Sequence, residues 1–335
     1  MPCSNEHFPS GGHSRAGSNP FVGTWKLSWK RGESMPEFRK LAKGVYAFLQ
    51  PPLICYSSAG VIIGDRDVIV VDSLTNTAMT QSLLAEIRRV TDKPIRYLIN
   101  THSHFDHVYT NHLFPEATAI SSHRGREETM ANRKAQAKHD ALFAKLFSDV
   151  DLRGGRYTPQ DMSFSGSLSF YQGEREVRVL ELGVGHSESD VVVHLPGEKI
   201  VYCGDVFMNG MPPLPGEGHV TQTIAHYKAI EALEADIYVA GHGDPGTLAD
   251  VRAQRAQLES QFQRARGCFE EGMSYDEALQ AFAGDAIPLD FQRMILLASY
   301  WEFTGKRPES TDPASQNHMT LLQSVAVEAK LLLGR

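Results

Sequence analysis

The chain of 335 residues contains little cysteine, and the cysteines that it has are scattered. Cys3, Cys55, Cys203 and Cys268 lie far apart and form no Cys-x-x-Cys pair. This spacing argues against a disulfide framework and favours reduced thiols, as in a cytoplasmic protein.

Positive charge and long apolar runs are also scarce. The formal net charge is −7, and no dense run of lysine and arginine offers a surface for nucleic acid. No apolar run approaches the length of a transmembrane helix. Residues 1–20 are polar and lack the apolar core of a secretory signal, so we expect a disordered lead. We therefore expect a cytoplasmic protein that binds neither membrane nor nucleic acid.

Three regions differ in pattern along the chain. Residues 1–43 form a tail and an arm, in which Trp25, Leu27 and Trp29 alternate. This alternation fits a short edge strand or an arm packed on a partner subunit, which leaves a homodimer open. Residues 44–250 form the predicted catalytic domain, and residues 251–335 form a helical extension packed on it.

The predicted domain alternates strands with helices. Apolar runs at 53–63 and 68–72, joined by a Gly-Asp turn, predict a β-hairpin. Apolar residues at helical spacing predict a helix over 77–91. Further strands are predicted over 95–99, 163–171, 176–182, 191–195, 200–202 and 237–239, and C-terminal helices over 250–272, 274–282, 290–303 and 319–333.

Three histidines and an aspartate lie within six residues directly after the strand 95–99. They are His102, His104, Asp106 and His107 in the run Asn100–His107. Imidazole is the commonest metal ligand, and mixed nitrogen and oxygen donors suit zinc first, then iron or manganese. One such cluster supplies half of a two-metal site, so further ligands are expected downstream.

Three later motifs supply them. His186, Asp205 and His242 each follow a predicted strand, and each has a glycine directly before it. Glycine lets the backbone turn sharply and lets a ligand approach closely. A polar residue at each strand end indicates one common site at an edge of a sheet.

The order His-x-His-x-Asp-His, Gly-His, Gly-Asp, Gly-His-Gly resembles the metallo-β-lactamase-fold hydrolase superfamily, and is most similar to its glyoxalase II-like, dinuclear branch. The resemblance spans roughly residues 44–250. It implies an α/β fold, a four-layer αββα sandwich, here with an added C-terminal helical region. It also implies two zinc ions per chain, with iron or manganese as alternatives. One ion is held by His102, His104 and His186, the second by Asp106, His107 and His242, and Asp205 bridges both.

The chemistry that follows is hydrolysis of a small-molecule ester, thioester, lactone or amide by a hydroxide bridged between the two ions. Asp106 is the candidate catalytic residue, because it can orient that hydroxide while it acts as a ligand. The proline-rich loop after Asp205 is a candidate substrate-binding segment. Its candidate contacts are Phe207, Met208, Asn209 and His219.

Several alternatives stay open at this point. A mononuclear iron dioxygenase that oxidises sulfur compounds has the same fold, and so do hydrolytic dehalogenases and a nuclease of the ribonuclease Z type. A metal-binding scaffold without activity is a further alternative. Asp72, at the end of the strand 68–72, is either an ordinary strand-end aspartate or a carboxylate that orients a metal-binding histidine.

Overall fold

The computed structural model describes residues 36–50, 55–146, 150–215, 219–282 and 287–306. Within these ranges the chain forms two β-sheets that pack face to face, and helices cover the outer face of each sheet. This is the predicted four-layer αββα sandwich with C-terminal helices added. The predicted helix over 319–333 and the tail over 1–35 lie outside the described residues.

The first sheet has seven strands whose order in space is their order in the chain. Strands β1 to β4 pair antiparallel, and β4 to β7 pair parallel. The parallel strands bring their carboxyl ends to one edge, where polar residues that follow them can meet. The strands are β1 (Glu37–Ala42), β2 (Val45–Leu49), β3 (Ala59–Ile63), β4 (Val68–Val71), β5 (Ile95–Ile99), β6 (Thr118–Ser122) and β7 (Met162–Phe164).

The second sheet has five strands in the order β12-β11-β10-β9-β8. All its pairs are antiparallel except β11 with β12, which is parallel. The strands are β8 (Ser167–Gln172), β9 (Arg175–Gly183), β10 (Asp190–Leu195), β11 (Ile200–Tyr202) and β12 (Ile237–Val239).

The core between the sheets is built mainly from valine and isoleucine, whose branched side chains suit a pleated surface that is buried. Val45, Ile69 and Ile99 of the first sheet face Val179 and Val193 of the second in one buried cluster. The two sheets therefore have a fixed relative position, and so do the loops at their shared edge.

Eight helices occur in the described ranges. They are α1 (Thr77–Val90), α2 (Phe105–Val108), α3 (His123–Lys134), α4 (Gln136–Leu146), α5 (Val220–Glu231), α6 (Leu248–Glu270), α7 (Tyr275–Phe282) and α8 (Leu289–Thr304). Helix α1 is capped by Asn76, whose side chain accepts from Met79 N, and it buries Leu83 and Ile87 on the first sheet. Helices α5 to α8 share a buried cluster with the outer face of the second sheet. None of the helices in these ranges is both long and apolar enough to span a bilayer.

The structure corrects one predicted strand and shows the form of part of the N-terminal arm. The single strand predicted over 163–171 is wrong, because β7 belongs to the first sheet and β8 to the second. Gly166, with φ +76°, lies between them and allows the chain to turn from one sheet to the other. Of residues 21–43, the described part forms the edge strand β1, which pairs with β2.

Candidate metal centre

The seven predicted ligands lie in four loops, each of which follows a strand. His102 and His104 follow β5, and α2 carries Asp106 and His107. His186 lies in the loop between β9 and β10, Asp205 in a 3-10 turn after β11, and His242 in the loop after β12. The loops come from both sheets and meet at one edge of the sandwich. Six of the side chains are buried and His104 is partly exposed.

A first group joins three histidines and an aspartate. The ligand atoms of His102, His104, His186 and Asp205 lie within 4.8 Å of one another. His104 Nδ1 is 3.2 Å from His186 Nε2. Asp205 Oδ2 is 3.4 Å from His186 Nε2 and 3.9 Å from His102 Nε2.

A second group lies on the other side of Asp205. The ligand atoms of Asp106, His107 and His242 also lie within 4.8 Å of one another. His242 Nε2 is 3.3 Å from both Asp106 Oδ2 and Asp205 Oδ2. His107 Nε2 is 3.2 Å from Asp205 Oδ1. Asp205 therefore lies within 3.2–3.4 Å of nitrogen atoms of both groups.

The donor atoms fit divalent metal ions. His102 Nε2, His107 Nε2 and Asp205 Oδ1 are buried and make no well-aligned hydrogen bond, although the last two lie 3.2 Å apart. Buried polar atoms in this state are costly unless another group binds them. Bond lengths of about 2.0–2.1 Å in a tetrahedral zinc site place neighbouring ligand atoms about 3.3 Å apart. Most of the donor separations are close to that value. Nitrogen and oxygen donors without thiolate suit zinc, iron or manganese.

Hydrogen bonds on the far side of three rings set which nitrogen faces the centre. His186 Nδ1 is 2.9 Å from the carbonyl of Leu214, so Nδ1 carries the proton and Nε2 faces inward as an acceptor. His107 Nδ1 lies 2.8 Å from Asp72 Oδ2. Thr101 Oγ1 donates to Asp72 at 2.8 Å, and therefore accepts from His102 Nδ1 at 3.0 Å. Such contacts fix the tautomer of a metal-binding histidine.

Asp72 orients the first motif. Its carboxylate accepts from Thr101 N at 2.8 Å and from Thr101 Oγ1, besides its contact with His107. Its φ of +62° is uncommon for any residue but glycine and is tolerated better by aspartate than by most. Of the two alternatives that the sequence left open, the structure supports the carboxylate that orients a histidine.

The electrostatics of the metal-free site divide the ligands. Burial, together with the neighbouring imidazoles, lowers the pKa of His102 well below its ordinary value. Burial also lowers the pKa of His242, but Asp205 and Asp106 outweigh it and raise that pKa to about 10. His107 follows the same pattern, and Asp205 and Asp72 raise its pKa well above the ordinary value. The pKa of Asp205 is well below its usual range because His242 and His107 outweigh the cost of burial. Cation binding must therefore displace protons from His107 and His242.

The loop that carries His186 is held by a second carboxylate. Asp190 accepts from His186 N at 2.7 Å and from Ser187 N at 3.0 Å. On its far side Asp190 Oδ2 lies 3.2 Å from Nδ1 of the buried His226 on α5. The contact between Asp190 and His226 could not be predicted from the sequence, because it depends on how α5 packs against the second sheet.

The four predicted substrate contacts lie in different surroundings. Phe207 and Met208 belong to the hydrophobic cluster between the second sheet and α5 to α8, with 0% and 2% of their surface exposed. Asn209 donates to the carbonyl of Asp244, beside His242, at 3.0 Å. His219 Nε2 lies 3.5 Å from Glu188, two residues after His186. The structure thus places Phe207 and Met208 in core packing, and substrate contact by all four residues stays a prediction.

The family model of the metallo-beta-lactamase superfamily matches residues 53–242, which are more than half of the chain. The chain therefore belongs to this superfamily. The matched range ends at His242 and contains all seven residues of the centre. Membership of the glyoxalase II-like branch stays a prediction.

Similarity to individual proteins is low in sequence and extensive in fold. A linear primary-alkylsulfatase from Pseudomonas sp. is 22% identical over 218 residues, which are 55% of this chain and 41% of that protein. The alpha subunit of a 2,4-dinitroanisole O-demethylase from Nocardioides sp. is 24% identical over 184 residues, 54% of this chain and 51% of that protein. The chain thus spans about half the length of the curated relatives that it matches.

Among solved structures, the sec-alkylsulfatase Pisa1 from Pseudomonas sp. has a TM-score of 0.64 at 13% identity, over 84% of this chain and 52% of that one. A metallo-beta-lactamase family protein from Thermus thermophilus has a TM-score of 0.60 at 18% identity, over 79% of this chain and 95% of that one. These likenesses show the fold.

Proposed function

We propose that this protein is a metal-dependent hydrolase that binds two zinc ions and cleaves a small-molecule ester, thioester, lactone or amide. The observation that carries the proposal is the position of Asp205, whose two carboxylate oxygens lie 3.2–3.4 Å from nitrogen donors of both ligand groups. When bound, two divalent ions lower the pKa of a shared water and polarise the bond to be cleaved. Zinc is our first choice because five imidazoles and two carboxylates form the donor set.

The side chains of this protein have separate tasks in that proposal. His102, His104 and His186 would hold one ion, Asp106, His107 and His242 would hold the other, and Asp205 would contribute to both. Asp106 is assigned the additional task of holding the proton of the attacking water, because its carboxylate faces His242 at the centre. Asp72 and the carbonyl of Leu214 keep two imidazole rings in the tautomers that ligation needs.

A dinuclear hydrolase is favoured over a mononuclear iron dioxygenase for a specific reason. The dioxygenase needs only one group of ligands, whereas Asp106, His107 and His242 form a second group in which every donor is present. One iron per chain together with oxygen consumption during turnover would support the dioxygenase instead.

A second candidate substrate class is an alkyl sulfate ester. It is favoured by the similarity to the linear primary-alkylsulfatase, because the two sequences align over 218 residues and not only at one metal-binding motif. The same two ions would serve, since polarising a sulfuryl oxygen and polarising a carbonyl oxygen make similar demands on the site.

The test is a panel of substrates assayed with zinc-loaded protein: a thioester, a lactone, an ester, a β-lactam and a primary alkyl sulfate. We expect turnover of one class, a loss of at least about a hundredfold in His186→Ala, and no loss in His123→Ala. His123 is the matched control, because it is an exposed histidine whose polar partners in the described part of the chain are Glu127 and Ser163. No turnover of any of the five, or equal activity of His186→Ala and wild type, would contradict the proposal.

A further inference from the structure

The three-histidine group depends on two loops that are far apart in sequence. His102 and His104 lie in one loop and His186 in the other, and His104 Nδ1 approaches His186 Nε2 to 3.2 Å. One connection between the loops is a backbone hydrogen bond from Val191 N to Thr101 O at 2.8 Å. That bond lies next to the strands β5 and β10. Other contacts must therefore fix the parts of the loops that carry His104 and His186.

A single carboxylate joins the tips. Glu128 Oε2 accepts from Ser103 Oγ at 2.8 Å and from Ser189 Oγ at 2.6 Å. Ser103 stands between His102 and His104, and Ser189 lies three residues after His186. Both serines are buried, with 4% and 0% of their surface exposed. Hydrogen bonds from hydroxyl groups to a carboxylate are shorter and stronger than those between neutral groups.

Helix α3 is placed so that Glu128 can make these contacts. Its buried residues are Gly125 and Thr129, which lie on the same face as Glu128 at helical spacing. This inward face is polar, so α3 is fixed by hydrogen bonds more than by apolar packing. Ser122, the N-cap of α3, accepts from Gly125 N at 3.1 Å and donates to Ser189 O at 3.4 Å. Arg124 of α3 also forms an ion pair with Glu188 of the His186 loop. The helix and this loop are thus connected at three points.

We propose that Glu128 is a positioning residue for the three-histidine half of the centre: it sets the separation of the loops that carry His102, His104 and His186. The inference rests on the proposed function, because it needs an ion in that half. The inference also predicts an effect on one of the two ions, which a general stabilising role of Glu128 would not produce. Ser103, which donates to Glu128 Oε2, stands between two ligands of the first group, and Ser189 lies in the loop that carries the third, whereas His107 of the second group has Asp72 behind it. Loss of Glu128 should therefore weaken one ion and spare the other.

The experiment measures the affinity of each ion by competition with a chromophoric chelator, using Co²⁺ and Zn²⁺ on the full chain. Glu128→Ala is expected to bind one ion about 10- to 100-fold more weakly and the other as wild type does. Glu128→Gln keeps the length of the side chain and one carbonyl oxygen, so it should recover part of the loss. Glu127→Gln is the matched control and should change neither affinity, because the Glu127 side chain is 59% exposed and, among the residues that the structure describes, pairs with His123 alone.

A double variant separates the contacts with the serines from any other role of Glu128. In a Ser103→Ala/Ser189→Ala background, Glu128→Ala should cause less than about a threefold further loss, because residues that act through one network are not additive. The Co²⁺ absorption of the first site should change in the same way in Glu128→Ala and in Ser103→Ala/Ser189→Ala, because both variants remove the same hydrogen bonds. Circular dichroism of each variant after chelation reports whether the fold is retained, and Ser189→Ala replaces Glu128→Ala if that variant does not fold.

Equal affinity of both ions in Glu128→Ala and wild type would overturn the inference, and so would an equal loss at both sites. A full further loss in the serine background would also overturn it. A different result would contradict the proposed function. If the wild-type protein binds fewer than two ions, the dinuclear centre is wrong, whatever the variants show.

Discussion

At the residue scale, the centre consists of side chains that have one polar atom facing inward and another held from behind. His107 has Asp72 behind it, His186 has the carbonyl of Leu214, and His102 has the hydroxyl of Thr101. Each contact leaves Nε2 of the ring directed at Asp205 or at a neighbouring ligand. Hydrogen bonds within the protein therefore set the orientation of these three donors.

Asp72→Asn tests the hydrogen bond behind His107. Asparagine tolerates a positive φ, so the backbone at this position is preserved while the charge is lost. We expect the ion held by His107 to bind about 10- to 100-fold more weakly, as measured by chelator competition. Asp92→Asn removes an exposed carboxylate and serves as the control. Unchanged affinity in Asp72→Asn would show that the carboxylate has no part in orienting the ring.

The stability of the metal-free protein should depend on pH through His242. Its folded-state pKa is raised from 6.5 to about 10 because Asp205 and Asp106 outweigh burial. A raised pKa means that the charged ring stabilises the native state fully below pH 6.5, and that this contribution is lost as the pH rises through about 10. Urea unfolding of chelated protein should therefore give a free energy of unfolding that falls between these two values.

His242→Gln is the comparison for that measurement. The variant lacks the titrating ring, so its free energy of unfolding should fall less steeply with pH over the same interval. The remaining slope is expected to come from His107, whose pKa is raised in the same direction. Parallel pH profiles for the variant and the wild type would contradict the assigned charge of His242.

At the element scale, the site is made by strand ends and the sharp turns that follow them. Gly204 follows β11 with φ +53°, and Gly241 follows β12 and packs directly against the carboxylate of Asp205. A side chain on Gly241 would overlap Asp205 Oδ1 and the backbone of Gly204. The glycines that precede the ligands therefore allow the loops after β11 and β12 to lie against each other.

Gly241→Ala should displace Asp205 and reduce metal binding at both groups. Overpacking of this kind costs about 1–3 kcal/mol, so the melting temperature should also fall. Gly197→Ala is the control, since a Cβ there meets no atom within 4 Å. Metal content by elemental analysis and a thermal melt test both effects, and a fully loaded Gly241→Ala protein would refute this account of the turn.

The sequence predicted features that depend on a single strand or helix. It did not predict contacts that depend on how two distant elements pack together. Polar residues at the ends of four strands led to all the ligands that the structure brings together, and periodicity led to helix α1. The strand predicted over 163–171 was wrong, because the pattern of single residues does not say in which sheet a strand lies. The role of Glu128 and the contact between Asp190 and His226 were missed for the same reason, because the partners are 25 to 61 residues apart on different elements.

At the scale of the whole molecule, the centre joins the two sheets. His102 and His107 follow a strand of the first sheet, whereas His186, Asp205 and His242 follow strands of the second. Bound cations would therefore connect the two halves of the sandwich, and the energy of binding would add to the stability of the native state. The C-terminal helices pack on the second sheet and not between the sheets.

Chelation should lower the melting temperature for this reason. A ligand at 100 to 1,000 times its Kd stabilises the native state by about 3–4 kcal/mol, which for a chain of this size is a shift on the order of 10 °C. Differential scanning calorimetry before and after dialysis against a chelator measures it, and returning Zn²⁺ should restore the original value. A melting temperature that chelation does not change would mean that no cation links the sheets.

Anomalous diffraction from crystals of zinc-loaded protein tests the central claim most directly, because it locates each ion and identifies the element. We predict two peaks per chain at the zinc edge, one bonded to His102, His104 and His186 and one to Asp106, His107 and His242, with Asp205 bonded to both. A single peak, or two peaks that do not share Asp205, would contradict the account.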